Sequence, residues 1–289
     1  MKVSLIMPTI NRHDELIIFL ESLEKQTHKN FELIIVDQNL DGYIFDIIED
    51  FQDKISLKYI ISEEKGLSFN RNKGLLVADG EIIGFPDDDC EYQEDTLEKV
   101  IKFFSENEEY KIFSCRTLEK DKDYGTGIMA TEETDLKYKN VEETIKSITF
   151  FVNFQLEDLT LFDPNLGVGA HFGSGEETDY VLNLLHKGFK GKYFPNEIIY
   201  HPAKKGNYED IERAYSYALG YGAMVKKEVS LRKNRAYLAK YLKKLFRTFG
   251  GMIISKERRY YFYVFLGRVK GYKQYITKDK KRRKNETSF

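Results

Sequence analysis

Short apolar runs alternate with segments of helical periodicity in the first part of the chain, and this alternation restricts the fold more than any other feature. The apolar runs occupy residues 3–7, 31–36, 57–61 and 82–85, and amphipathic segments separate them. Strands that alternate with helices build a parallel sheet through right-handed crossovers, so the loops that follow the strands gather at one edge. We therefore predict an α/β fold with a mostly parallel sheet flanked by helices.

The fourth apolar run leads directly into three consecutive carboxylates, Asp87, Asp88 and Asp89. Adjacent like charges repel by ~4 kcal/mol per close pair at an effective dielectric of about 20, so the triplet needs a compensating partner. In an extended backbone Asp87 and Asp89 point to one side and Asp88 to the other. Two carboxylates suit Mg2+ or Mn2+, and the carboxyl end of a buried strand is where open α/β sheets bind ligands. A solvated acidic turn is the alternative, and the triplet alone does not separate the two.

Length and cysteine content place further limits on the protein. The 289 residues are enough for one large domain, or for a domain with an appendage. Cys90 and Cys115 form no disulfide framework, which fits a reducing compartment. The apolar run before Pro8 is far shorter than a signal-peptide core, and no run reaches the ~18 apolar residues of a membrane span. We expect a cytoplasmic protein, with peripheral attachment to the inner face of the cell membrane as a further option.

Charge is distributed unevenly along the chain. From Leu231 onward there are 19 Lys and Arg and three acids, a net charge of +16, whereas the whole chain carries −2. A segment of this kind usually faces a polyanion, either nucleic acid or an anionic membrane surface.

The apolar pattern becomes purely helical beyond Pro202. Gly250-Gly251 is expected to interrupt this pattern, and the basic residues 280–284 are expected to be disordered. The predicted organisation is an α/β domain over residues 1–202 and a basic amphipathic helical extension over residues 203–289.

A second acidic cluster comprises Glu176, Glu177 and Asp179, in the first turn of a predicted helix. Ser174-x-x-Glu177 has the form of a capping box, and the helix dipole favours acids in a first turn, so helix stability alone can explain the cluster. The functional alternative is a carboxylate that takes a proton from an attacking hydroxyl. His201 follows the last predicted strand, and structural and ligand roles for its imidazole are both open.

Five separated signatures occur in order along the chain. They are an apolar strand ending in Pro8-Thr9-Ile10-Asn11, residues 31–37 ending in Asp37, the Asn70-Arg71-Asn72-Lys73-Gly74 core of residues 66–74, the triplet Asp87-Asp88-Asp89, and Gly175-Glu176-Glu177. With these signatures residues 1–202 resemble the family-2 glycosyltransferases, inverting enzymes that build bacterial capsular and surface polysaccharides. The resemblance implies a GT-A fold, which is Rossmann-like, and a C-terminal helical extension only loosely similar to the tails of some members.

The resemblance also implies a nucleotide-sugar donor, with UDP favoured. The residues that would bind the nucleotide are Pro8, Thr9, Asn11, Asp37, Gly66, Arg71, Asp87 and Asp88. Asp37 would accept the uracil imide N–H, a task for a group that offers only acceptors. Gln38 stands where many relatives carry a second Asp. Arg71 would reach the diphosphate, whereas without the resemblance it reads as a surface arginine on a first helical turn.

The resemblance further implies a metal-dependent transfer to a saccharide acceptor. Asp87 and Asp89 would hold Mn2+ or Mg2+ and so stabilise charge on the leaving nucleoside diphosphate. His201 is a candidate third ligand because of its position after the last predicted strand, and not because of the resemblance. Glu177 would be the catalytic base, although the family usually has Asp there, and Glu176 and Asp179 would position the acceptor.

The basic extension has three interpretations. Its helices could pack on the α/β domain, or attach to an anionic membrane that carries a lipid-linked acceptor. Nucleic-acid binding is disfavoured because no recognised nucleic-acid motif accompanies the charge. Homo-oligomer formation remains open.

Two other functions compete with glycosyl transfer. A sugar-nucleotide pyrophosphorylase has a similar core, but the loop at Pro8-Thr9-Ile10-Asn11 lacks the Gly-rich, Arg-bearing sequence that grips a triphosphate. A non-catalytic saccharide-binding or scaffold protein could retain the fold, although acids at positions 87, 89 and 177 argue against it.

Overall fold

The computed structural model describes residues 1–39, 41–154, 159–203 and 208–275, so the basic run at 280–284 lies outside the described residues. The chain divides into two units, one formed by Met1–Phe162 with Tyr180–Lys205 and the other by Asp163–Asp179 with Gly206–Phe289. The domain boundary expected at residue 202 stays a prediction. Within the described ranges, no helix has the length and apolar content required of a membrane span.

The first unit is built on a mixed sheet with the strand order β3-β2-β1-β4-β8-β6-β9-β5, and β7 pairs with β9. The strands are β1 (Val3–Thr9), β2 (Phe31–Asp37), β3 (Leu57–Ile61), β4 (Ile82–Gly84), β5 (Glu91–Tyr92), β6 (Tyr110–Leu118), β7 (Thr134–Asp135), β8 (Phe150–Asn153) and β9 (Lys190–Tyr200). The half that contains β3, β2, β1 and β4 is parallel, as the alternating pattern predicts, whereas β8 is antiparallel to both neighbours.

Helices connect and flank these strands. They are α1 (Asp14–Glu24), α2 (Phe45–Phe51), α3 (Leu67–Leu75), α4 (Thr96–Glu106), α5 (Val141–Thr144), α6 (Glu176–His186), α7 (Ile211–Ser230), α8 (Arg235–Ile254) and α9 (Arg258–Gln274). Strands β1 and β2 are buried along their whole length, which explains why their apolar runs are continuous and not alternating.

Glycine permits a close approach between helix α3 and strand β1. A Cβ atom on Gly74 would lie 2.3 Å from Cγ2 of Ile6, so a larger residue would push the helix away from the sheet. Gly74 ends the Asn-Arg-Asn-Lys-Gly motif, and the close packing holds Arg71 of the same helix in the protein interior.

The expected interruption at Gly250-Gly251 is wrong, because α8 runs through both glycines to Ile254. A Cβ atom on Gly251 would lie 2.5 Å from the ring of Tyr261, so this glycine makes room for α9. The cost of glycine in a helix interior, about 1 kcal/mol relative to alanine, is offset here by packing between helices.

Candidate active site

The loops that follow β1, β2 and β4 meet at one edge of the sheet, as predicted. Oγ1 of Thr9 donates a 2.7 Å hydrogen bond to Oδ2 of Asp88. The backbone N–H of Asn11 donates to Oδ1 of Asn39 at 3.0 Å, and Asn11 has a left-handed backbone with φ of 54°. Side chains from three separate parts of the sequence therefore line one edge.

The carboxylates of Asp87 and Asp89 lie with the imidazole of His201 in one cluster. One oxygen of each carboxylate and one ring nitrogen of His201 all lie within 4.8 Å of one another. Nε2 of His201 is 3.0 Å from Oδ1 of Asp89. Asp88 is directed to Thr9 instead. Asp88 and Asp89 lie in a turn, so the turn and not an extended backbone separates Asp88 from the other two carboxylates. Two carboxylates and an imidazole form a donor set that fits a divalent cation.

Asp88 lies in an environment that disfavours its charge. Burial raises the pKa of Asp88 to about 6, and the neighbouring carboxylates of Asp87 and Asp89 also raise it. The hydrogen bond from Thr9 lowers the pKa but does not outweigh them. The triplet thus concentrates negative charge in a partly enclosed site.

Two arginines compensate this charge. Arg71 has no solvent exposure, and its Nη2 lies 3.0 Å from Oδ1 of Asp87. The alternative reading of Arg71 as a surface residue is therefore wrong. Nη2 of Arg12 lies 3.2 Å from Oδ2 of Asp89, and its Nε lies 3.7 Å from Asp88. Arg12 was not among the site residues predicted from the sequence. Its position directly after Asn11, in the loop that follows β1, could have indicated that it lies near the site.

Asp37 is buried and accepts hydrogen bonds from other residues of the protein. Its Oδ1 accepts from the backbone N–H and the side-chain amide of Asn39, at 2.9 and 2.7 Å. Its Oδ2 accepts from the hydroxyl of Tyr59 at 2.6 Å. Burial, with the hydrogen bond to Asp37, raises the pKa of Tyr59. The expected role of Asp37 toward a uracil base stays a prediction.

Gln38 links the loop after β2 to two other segments. Its backbone N–H donates to the carbonyl oxygen of Thr9 at 3.0 Å, next to Pro8 in strand β1. Its side-chain oxygen Oε1 accepts from the N–H of Gly66 at 2.9 Å. Gly66 has φ of +129° and is the residue before helix α3, which carries Arg71. The side chain of Gln38 therefore fixes the beginning of that helix.

A cavity of about 300 Å³ adjoins the aspartate and histidine cluster in the first unit. Its lining includes Glu15, Asp89, Glu119, Lys120 and His201. Acidic, basic and imidazole groups in one concave region are typical of a ligand site.

The second acidic cluster belongs to the second unit, where Glu176 and Asp179 are buried and Glu177 is partly exposed. Helix α6 begins at Glu176, and Gly175 precedes it with φ of +87°. The hydroxyl of Ser174 donates to the carbonyl oxygen of Tyr217 at 2.8 Å. The capping box, which was the structural alternative for this cluster, is therefore wrong, because Gly175 and not Ser174 directly precedes the helix and accepts a hydrogen bond from the N–H of Asp179.

Asp179 lies in a network of buried charges within the same unit. Its carboxylate lies 2.6 Å from Nζ of Lys227 and 2.8 Å from Nη1 of Arg232. Lys227 also lies 2.9 Å from Asp163, and Arg232 lies 2.8 Å from the buried Glu228. Asp179 is thus held by two cations of the α7 region, whereas Glu177 remains accessible to solvent.

The sequence model of glycosyl transferase family 2 matches residues 4–156, about half of the chain. The chain belongs to this family. A putative teichuronic acid biosynthesis glycosyltransferase, TuaG of Bacillus subtilis, is 33% identical over 205 residues, which are 68% of this chain and 77% of the relative.

Other relatives match over different shares of their length. The GalNAc(5)-diNAcBac-PP-undecaprenol beta-1,3-glucosyltransferase of Campylobacter jejuni is 25% identical over 250 residues, 82% of this chain and 78% of the relative. The chain spans only 31% of the length of an uncharacterised glycosyltransferase from Rickettsia felis, to which it is 29% identical.

Solved structures confirm the predicted GT-A fold. TarS of Staphylococcus aureus, residues 1–349 in complex with UDP-GlcNAc, superposes with a TM-score of 0.69 over 95% of this chain and 90% of that chain, at 18% identity. The mannosyltransferase PcManGT of Pyrobaculum calidifontis, in complex with GDP-Man and Mn2+, gives a TM-score of 0.63 over 93% and 86%, at 16% identity.

Proposed function

We propose that this family-2 glycosyltransferase is a metal-dependent inverting enzyme that transfers a hexosyl group from a UDP-linked donor to a saccharide acceptor in surface polysaccharide assembly. The observation that carries the proposal is the cluster of Asp87, Asp89 and His201 at the carboxyl edge of the sheet, whose possible ligand atoms lie within 4.8 Å of one another. Family membership favours this reaction over that of a sugar-nucleotide pyrophosphorylase.

The same three residues would hold the metal ion. Carboxylates suit Mg2+ and Mn2+ alike, but an imidazole ligand favours Mn2+ over the harder Mg2+. When bound there, the cation neutralises charge that develops on the leaving diphosphate. Arg71 would bind the same diphosphate, because its buried guanidinium is held in place beside Asp87.

The nucleotide would bind over the loops that carry Pro8, Thr9, Asn11 and Asp37. Two buried oxygens of Asp37 are already oriented by Asn39 and Tyr59, and a carboxylate accepts but cannot donate to an imide N–H. This chemistry supports uracil. TarS, crystallised with UDP-GlcNAc, supports the same class of donor.

Glu177 is our proposed catalytic base. The acceptor hydroxyl attacks the anomeric carbon and forms a new C–O bond while the bond to the diphosphate breaks with its electron pair, so the configuration inverts. The hydroxyl proton passes to the carboxylate of Glu177. We choose Glu177 over Asp179 because Lys227 and Arg232 hold the carboxylate of Asp179. Glu176 and Asp179 would position Glu177 and the acceptor.

The acceptor would be a saccharide, and the name of one relative supports an acceptor that is attached to a lipid. The Campylobacter relative is named for an undecaprenol-linked substrate, and the Bacillus relative for teichuronic acid biosynthesis. An enzyme with such an acceptor would work at the inner face of the cell membrane as a peripheral protein.

Thermal-shift measurements test the donor and the metal together. Wild type and Asp89→Asn would be titrated with UDP, TDP, GDP and CDP, each with Mn2+ or with EDTA. A ligand at about 100 times its Kd stabilises the native state by ~2.7 kcal/mol, which raises the Tm by roughly 5 °C. We expect UDP to stabilise wild type only with Mn2+, and Asp89→Asn to lose most of this effect. A panel in which no nucleotide stabilises wild type would favour a non-catalytic saccharide-binding protein.

A further inference from the structure

Helix α8 presents a row of apolar side chains to solvent. Four of them are spaced at i, i+4, i+7 and i+11 and define the α8 apolar stripe: Leu242, Phe246, Phe249 and Ile253, which are 55, 79, 48 and 57% exposed. At 100° per residue these positions fall within an arc of about 60°. Side chains of this size that are this exposed in one contiguous row indicate an interaction surface.

The opposite face of α8 is used for internal packing in the second unit. Tyr241 is buried, stacks on Tyr272 of α9 at 5.1 Å and donates its hydroxyl to the carbonyl oxygen of Arg268 at 3.0 Å. Thr248 is buried on the same side. The α8 apolar stripe therefore does not form the core of this unit.

Basic residues border the stripe. Lys243 and Arg247 are exposed and lie, by helical geometry, roughly 90–130° around the helix from the centre of the stripe. Helix α8 contains five Lys and Arg and no acid, and α9 contains another five and no acid. A polar face rich in Lys and Arg beside a row of Phe, Leu and Ile matches a helix that lies in the interface of an anionic bilayer.

We propose that the α8 apolar stripe and its basic border bind the surface of an anionic lipid membrane. This inference deepens the proposed function, since it supplies the surface that would bring the enzyme to a lipid-linked acceptor. A second copy of the chain is a poorer occupant because it would place the cations of one α8 against those of the other. A lipid surface covers the apolar side chains and supplies the opposite charge.

The sequence offers a direct probe of this contact. The chain contains no tryptophan, so Phe246→Trp introduces a single fluorophore in the middle of the stripe. Ile128→Trp is the matched control, since Ile128 is 86% exposed in the first unit. With full-length protein and vesicles of phosphatidylcholine and phosphatidylglycerol, we expect the emission of Phe246→Trp to shift to the blue and to be quenched by doxyl-labelled lipid. Neither change is expected for Ile128→Trp, or with vesicles of phosphatidylcholine alone.

Co-sedimentation with the same vesicles supplies the second test. The triple variant Leu242→Ser, Phe246→Ser, Phe249→Ser should bind anionic vesicles at least roughly tenfold more weakly than wild type. The exposed control triple Leu76→Ser, Val77→Ser, Ile128→Ser should bind as wild type does. Because all these side chains are exposed, both variants should fold.

Three results would overturn the proposal. They are undiminished vesicle binding by the stripe variant, absence of vesicle binding by wild type, and a wild-type dimer that the stripe variant converts to a monomer in analytical ultracentrifugation. The UDP-dependent thermal shift is measured without vesicles, so failure of the membrane contact and failure of the proposed function can be distinguished.

Discussion

Nε2 of His201 lies 3.0 Å from Oδ1 of Asp89, which joins the end of β9 to the loop after β4. If His201 is a metal ligand, His201→Gln should weaken Mn2+ binding by roughly tenfold or more, because the remaining protein ligands are two carboxylates. Calorimetric titration of Mn2+ in the presence of UDP measures this. His28→Gln is the control, because the imidazole of His28 hydrogen-bonds to the backbone carbonyl oxygen of Asn30 and is not part of the acidic cluster. Equal Mn2+ affinities in wild type and His201→Gln would remove His201 from the ligand set.

Arg12 should act on the metal site in the opposite direction. Its guanidinium lies 3.2 Å from the carboxylate of Asp89 and thus competes with a cation for that charge. Arg12→Gln should therefore raise the affinity for Mn2+ without nucleotide by roughly fivefold, or about 1 kcal/mol for a partly exposed pair. Lys102→Gln removes the same charge from the exposed face of α4 and should leave the affinity unchanged. A loss of Mn2+ affinity in Arg12→Gln would show that the arginine supports the site and does not compete with the metal.

Glu177→Gln should abolish most turnover and leave nucleotide binding intact. The amide keeps the size of the side chain but cannot accept the proton, so kcat should fall by roughly 10²–10⁴. Because Gly175 and not Ser174 precedes the helix, no capping box is lost and the Tm should stay near that of wild type. Glu212→Gln, an exposed acid in the first turn of α7, provides the control. Near-normal turnover of Glu177→Gln would exclude it as the base.

Asp163 should make the second unit sensitive to acid. Burial alone raises the pKa of Asp163, but Lys227 and the hydroxyl of Tyr275 outweigh burial and lower it to about 2. Because this folded-state pKa lies below the ordinary value of 3.8, the stabilisation is complete above about pH 4 and is lost as the pH falls toward 2. Asp163→Asn should lower the free energy of unfolding at neutral pH by about 1–2 kcal/mol.

Urea unfolding at a series of pH values measures this effect. The difference between wild type and Asp163→Asn should be constant from pH 7 to about pH 4.5 and should shrink below that. Asp50→Asn, on the exposed side of α2, should match wild type throughout. A difference that persists unchanged to pH 3 would mean that Asp163 stabilises the unit without its charge.

The parallel half of the sheet and the meeting of its loops were predictable from the sequence, because strand and helix periodicities are local signals. The joint location of Asp87, Asp89 and His201 also followed from the sequence, because each of these residues comes directly after a predicted strand. The burial of Arg71 could not be predicted from the sequence. It depends on how closely helix α3 approaches Ile6 at Gly74, and the sequence motif does not give that distance.

Local rules failed where distant residues decide the structure. Gly250-Gly251 reads as a helix break, but Tyr261 of the next helix occupies the space that a side chain at Gly251 would need. Ser174 reads as a helix cap, but its hydroxyl donates to the carbonyl oxygen of Tyr217. In both cases the partner lies on another helix, where no window of neighbouring residues could reveal it.

The hydrogen bonds of Gln38 have a consequence for the energetics of the loops that we propose bind the nucleotide. One side chain ties the segment after β2 to Gly66, and its own backbone ties it to Thr9. A segment already held by its neighbours loses less conformational entropy when a ligand arrives, so more of the contact energy remains as affinity. Substitution of Gln38 by aspartate would replace the amide oxygen with a shorter, charged side chain. The hydrogen bond between the side chain at position 38 and the N–H of Gly66 would then change, and with it the preorganisation of the loops after β1, β2 and β3.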